Sequence, residues 1–138
     1  MDIIRSGLLP EMLVLGIPPV DAQHDAIFCR IENLKFLCIE TNSLPQDVVE
    51  EMLDFLRVHF ETEERIARAA EVDFAEHAVM HRTALETLTT WADKVLNGKH
   101  DIFSFLRYLE IWFERHIREE DEPFARMLER TGIPETWA

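Results

Sequence analysis

Glycine and tyrosine are scarce, four and one in 138 residues, which leaves too few turn formers and strand aromatics for a many-stranded β sandwich. Basic residues are scarce too. Lys plus Arg total 14 against 27 Asp plus Glu, and a formal charge of −13 repels phosphate backbones and anionic lipid, which counts against nucleic acid and membrane partners. The longest apolar runs, such as residues 12–17, fall far short of the ~20 residues that span a bilayer. The first residues lack a basic segment followed by an apolar core, so the expected location is cytoplasmic. Cys29 and Cys38, on one expected helix, point about 180° apart and lie about 13 Å apart along the axis, so they do not pair. That suits a reducing compartment. What remains is 47% hydrophobic and 30% charged, rich in Leu, Glu, Ala and Arg: enough for one helical domain that buries about 70% of its unfolded surface.

Residues 1–20 carry Gly7, Pro10, Gly16, Pro18 and Pro19 and are expected as an irregular arm. Asp21 is the expected N-cap of a first helix to about residue 40, with Ile27, Ile31, Leu34 and Cys38 on its inner face. Ser43 and Gln46 form a capping-box signature for a second helix over 45–69, whose inner stripe is Val48, Met52, Phe55, His59, Glu63 and Ile66. Asp73 and Glu76 form another, opening a third helix to about residue 96 with His77, His81, Ala84, Leu88, Trp91 and Val95 inward. After Asn97-Gly98, Asp101 starts a fourth helix to about residue 129, with Ile102, Phe105, Leu109, Trp112 and His116 on one face. Gly132 and Pro134 begin a tail over 132–138. The pattern predicts an all-α fold, an antiparallel up-down-up-down four-helix bundle over 21–131 behind the arm.

Histidines and carboxylates interrupt the apolar stripes. Singly they say little, because a His and Glu at i,i+4 is ordinarily a solvated couple and a lone buried histidine is ordinarily hydrogen-bonded. Together they carry weight, since an unpartnered polar group in a core costs about 1 to 3 kcal/mol and a buried charge more. In an antiparallel bundle the start of the first helix, the later half of the second, the start of the third and the end of the fourth share one level. His24, His59, Glu63, His77, His81, His116 and Asp121 fall there. Seven ligands exceed what one transition ion takes, and imidazoles with bridging carboxylates suit two iron ions about 3.5 to 4 Å apart.

Four segments, residues 16–24 ending at His24, 59–64 around His59 and Glu63, 77–81 from His77 to His81, and 116–121 from His116 to Asp121, resemble the hemerythrin family, specifically its single-domain bacterial members. The resemblance runs from residue 16 to about 128. It implies that His77, His81 and His116 hold one iron and His24 and His59 the other, with Glu63 and Asp121 bridging both beside an oxo or hydroxo group. On that count the second iron has one position left for dioxygen, and the implied function is reversible O2 binding for storage, delivery or sensing, without catalysis. By helical position, Phe28, Phe55, Phe60, Trp112 and Phe113 are expected to line a dry pocket there. A diiron enzyme reducing O2, peroxide or nitric oxide, and an O2- or redox-responsive interaction module, are the alternatives.

Regular periodicity disagrees with the resemblance on the fourth helix. Five residues after His116, Asp121 is rotated about 140° in an α-helix, whereas Glu119 and Glu120 share the histidine's face. The family spacing selects Asp121, and Pro123, which cannot donate an N–H to residue 119, is expected to distort this turn. Other positions depart from the family pattern: Leu9 replaces an aromatic in the arm, Phe113 a leucine beside the O2 position, and Phe124 a tyrosine, while the connection from Glu63 to His77 is about one residue short. His100, in the last interhelical connection, is expected at the surface, and Trp137 in the tail.

Overall fold

The structure, a computed structural model, describes residues 9–131; Gly7, Gly132, Pro134 and Trp137 lie outside them. A 3-10 turn at Glu11–Leu13 precedes α1 (Pro18–Thr41), α2 (Gln46–Ala70), α3 (Ala75–Leu96) and α4 (Ile102–His116), which runs through a π turn (Ile117–Asp121) into α5 (Glu122–Thr131). The π turn and α5 prolong α4 into one rod. Each rod packs on its neighbours in sequence, and α4 closes the ring against α1: the up-down-up-down four-helix bundle. Among the described residues no helix is long and apolar enough to cross a membrane.

Helix α1 starts earlier than an Asp21 cap requires. Pro18 and Pro19 fill its first positions, where a missing N–H is harmless. Asp21 instead lies in the first turn and looks backward: its two carboxylate oxygens accept from the N–H groups of Leu15 and Gly16 at 2.8 and 3.0 Å. This ties the arm to α1, and Leu9 and Leu13 are buried against the main core. The Ser43 box does not form, since α2 has Pro45 as its N-cap with no side-chain bond and Ser43 Oγ donates to Thr41 Oγ1. At α3, Asp73 accepts from Ala75 N, one position outside the helix. Asp101 does cap α4, accepting from the Ser104 N–H at 2.8 Å.

The inner face of α1 carries the expected Ile27, Ile31, Leu34 and Cys38 with His24, and extends back to Val20. Elsewhere the expected stripes hold at Met52, His59, Glu63 and Ile66, at His81, Ala84, Leu88 and Val95, and at Phe105, Leu109 and His116. They differ at single positions: α2 buries Val49 and Leu56 and leaves Val48 and Phe55 half-buried, α3 buries Ala92 in place of Trp91, and α4 buries Leu106 and Phe113 in place of Ile102 and Trp112. The interior then falls into two apolar clusters. The larger is built round Ile31, Leu56, Leu88, Phe105 and Leu109, the smaller round Ile17, Val20, Ile66, Phe124 and Leu128. The polar residues lie between them. Cys29 and Cys38 are both free, and burial pushes the Cys38 thiol up.

The π turn resolves the disagreement over the fourth rod. The Glu122 N–H donates to the Ile117 carbonyl five residues back, so the wider turn brings Asp121 onto the His116 side. Packing favours this register alongside Pro123. A regular α turn would rotate everything beyond it by about 100°. Phe124 and Leu128 would leave the core at about 1.5 to 3 kcal/mol each, against about 0.5 to 1.5 kcal/mol for one recovered hydrogen bond. Pro123→Ala is therefore expected to leave metal content unchanged and stability within about 1 kcal/mol, as read by metal analysis and denaturant melts; loss of metal would assign the register to the proline.

Candidate metal centre

His24 comes from the first turns of α1, His59 and Glu63 from successive turns of α2, His77 and His81 from the start of α3, His116 from the last residue of α4, and Asp121 from the π turn. Their side chains converge between the apolar clusters. One ligand atom from each of Glu63, His77, His81, His116 and Asp121 lies within 4.8 Å of the others, and the same holds for His24, His59, Glu63 and Asp121. The two groups share only the carboxylates, and each carboxylate divides its oxygens between them. Glu63 Oε1 is 3.1 Å from His81 Nε2 and 3.6 Å from His77 Nε2, while Oε2 is 3.2 Å from His59 Nε2 and 3.7 Å from His24 Nε2. Asp121 Oδ1 is 3.0 Å from His77 Nε2 and 3.3 Å from His116 Nε2, with Oδ2 3.0 Å from His24 Nε2.

The rings are oriented from behind. The Thr62 hydroxyl donates to the Val58 carbonyl at 3.1 Å and accepts from Gln23 Nε2 at 3.1 Å, which turns Gln23 Oε1 toward His59 Nδ1 at 2.7 Å. That oxygen can only accept, so the proton sits on Nδ1 and the lone pair of His59 Nε2 faces the site. Glu120 does the same for His116, its carboxylate accepting from Nδ1. Gln23, Thr62 and Glu120 back the cluster's imidazoles in a way that the motifs alone do not reveal, although i,i+4 spacing already put Glu120 on the His116 face.

Burial and Asp121 repel charge from Glu63, yet the His59 and His24 imidazoles outweigh both and hold its carboxyl below the usual range. For Asp121, burial is likewise overcome, chiefly by His116, His24 and His77. Burial works against protonated His24, but Asp121 and Glu63 raise it to about 9, and Asp121 and Glu120 hold His116 well up against the same penalty. Burial pushes His81 down. Protons on the imidazoles are one way to balance two buried carboxylates; divalent cations are the other, and they also answer the unpartnered atoms. Among the described residues, the buried side-chain atoms without a hydrogen bond are, Arg30 Nε apart, all here: both nitrogens of His24 and His81, Nε2 of His59 and His116, both oxygens of Glu63 and Oδ2 of Asp121. Convergent imidazole nitrogens and carboxylate oxygens suit iron and similar ions, so the residues present fit a pair of cations.

Of the aromatic residues expected around the site, Phe60 stacks on His81 at 3.9 Å and Trp112 on His116 at 5.3 Å. Phe113 packs edge-on to His24 at 5.4 Å, with Phe28 behind it at 5.0 Å. Phe55 lies on the flank of α2 under the Arg30 guanidinium, 4.4 Å from the ring centroid, because the stripe there is turned toward Leu56. Phe74, absent from the sequence expectation, stacks on His77 at 4.2 Å, and Phe124 packs against both. His100 is exposed and stacked on Trp91. Glu61 is at the surface with Arg57.

A family model described as the hemerythrin HHE cation binding domain matches residues 15–128. A bacteriohemerythrin of Stenotrophomonas maltophilia (strain R551-3) is 30% identical over 119 residues, covering 82% of this chain and 75% of the relative. No solved structure gives a significant match. The matched span takes in every histidine and carboxylate of the cluster, and on these grounds the chain belongs to the hemerythrin HHE cation-binding family.

Proposed function

We propose that the two groups hold a pair of iron ions, with His77, His81 and His116 on one, His24 and His59 on the other and Glu63 and Asp121 shared, and that the protein binds dioxygen reversibly. The observation that carries this reading is the asymmetry of the donor set: three imidazoles on one side and two on the other of the same pair of carboxylates. The side with fewer donors is where a small ligand is admitted. When bound, a reduced iron pair would supply electrons to dioxygen and take them back.

The chain's own residues make that exchange reversible by what they withhold. Phe113 and Phe28 cover the His24 side with rings that carry no transferable proton, and Phe60 closes over His59 and His81. Gln23 and Glu120 keep the imidazole protons on the outward nitrogens. The test is to reduce iron-loaded protein anaerobically and admit air. A visible absorption band that appears with oxygen and disappears on deoxygenation supports carriage; irreversible bleaching with consumption of O2 or peroxide would favour a diiron enzyme. Phe113→Leu is expected to speed oxygen uptake, about tenfold if the ring's crowding is worth about 1.4 kcal/mol, as read by stopped-flow absorbance. An unchanged rate would remove Phe113 from the path.

A further inference from the structure

The seven site side chains are not equally covered. Six are at most 3% exposed, while His77 keeps 11% of its side chain in solvent. Its ring lies in the lining of a cavity of about 430 Å³ between α3 and the rod formed by the π turn and α5. Glu76 from α3 and Glu119 and Glu120 from the π turn line this groove, Met80 and Met127 give it apolar walls, and no basic side chain lines it. On the inner side of His77, 3.6 Å from its Nε2, stands Glu63 Oε1, a fully buried oxygen with no hydrogen-bond partner. A neighbouring cavity of about 190 Å³ approaches His116 and shares Glu119 and Glu120 with the groove, but it lacks Glu76, it includes the cationic Arg115, and Trp112 is stacked over the imidazole.

We infer that the groove over His77 is the route by which divalent cations load the centre. Exposed Glu76 and Glu119 draw cations into a cleft whose apolar walls concentrate the field. His77, the most exposed of the seven, passes them to the carboxylate oxygens behind it, Asp121 Oδ1 at 3.0 Å and Glu63 Oε1 at 3.6 Å. The inference rests on the reading of the cluster as a cation cage. It concerns the rate at which ions arrive, not the affinity with which they are held.

Metal-free protein mixed with cobalt(II) chloride, followed by visible absorbance in a stopped-flow instrument, provides the test. The paired substitution Glu76→Gln/Glu119→Gln is expected to slow uptake about threefold to tenfold at low ionic strength. Met127→Lys, which adds a cation to the wall, is expected to slow it further. Both effects shrink toward nothing in about 0.5 M salt, and final cobalt content equals that of the unaltered protein. Glu86→Gln/Asp93→Asn, which removes the same charge from exposed positions farther along α3, is expected to leave the rate unchanged. The route is overturned if the groove variants load as fast as this control, if the control slows equally, or if the groove variants hold less cobalt at equilibrium. Failure of the unaltered protein to take up cobalt at any time would strike the cage itself, a distinguishable result.

Discussion

Glu63→Gln is expected to abolish tight loading of both cations and with it the stabilisation that loading brings. Glu63 is the one side chain within 3.7 Å of four imidazoles, His24, His59, His77 and His81, drawn from both ligand groups. The substitution keeps the shape but removes the charge and replaces one ligating oxygen with an NH2 that has no lone pair to offer. A ligand that binds only the folded state stabilises it by about 4 kcal/mol at a thousand times its dissociation constant. For a domain of this size that raises the melting temperature by about 10 °C or more. Glu63→Gln should melt at the same temperature with and without iron, and metal analysis should find well under the two ions expected in the unaltered protein. Retention of two ions would dismiss Glu63 as a shared ligand.

Much of this site was legible because polar residues interrupted otherwise apolar stripes. His24 lies in the run Val20, His24, Ile27, Ile31, and no solvated role fits that position in a bundle. Asp121 was legible only through the family spacing, since α periodicity carries no sign of a five-residue turn; the turn is held by the burial of Phe124 and Leu128 beyond it. The phase of α2, α3 and α4 is legible at most positions, and periodicity picks the wrong member only where two adjacent residues are both apolar, as at Phe55 and Leu56, Trp91 and Ala92, and Trp112 and Phe113. There the choice is made by volume and fit across the bundle. Indole rings go to the flanks, and the smaller neighbour or the ring that meets His24 goes inside. The contact of Gln23 with His59 joins residues on different helices, and no spacing along one helix announces it.

His116 shows why the acid that regular periodicity selects and the acid that family spacing selects both matter. Its inner nitrogen faces Asp121 and its outer nitrogen Glu120, two consecutive acids that one α-helical face could not present on opposite sides of the same ring. The ring is buried, so removing Glu120 leaves an N–H with no acceptor, a cost of about 1 to 3 kcal/mol, and frees the proton to move to the inner nitrogen, where it competes with a cation. Glu120→Ala is accordingly expected to weaken cation binding about 10- to 100-fold, the usual effect of losing the partner behind a ligating imidazole. The loss should fall on the His77, His81 and His116 group. Glu120→Gln keeps an acceptor oxygen and should recover part of it. Competition with a chromophoric chelator gives both affinities, and a Glu120→Ala protein that binds as tightly as the unaltered chain would place Glu120 outside the site's working structure. Because Glu120 also lines the groove over His77, equilibrium affinity is the decisive reading: a change confined to loading rate would assign this carboxylate to cation delivery alone.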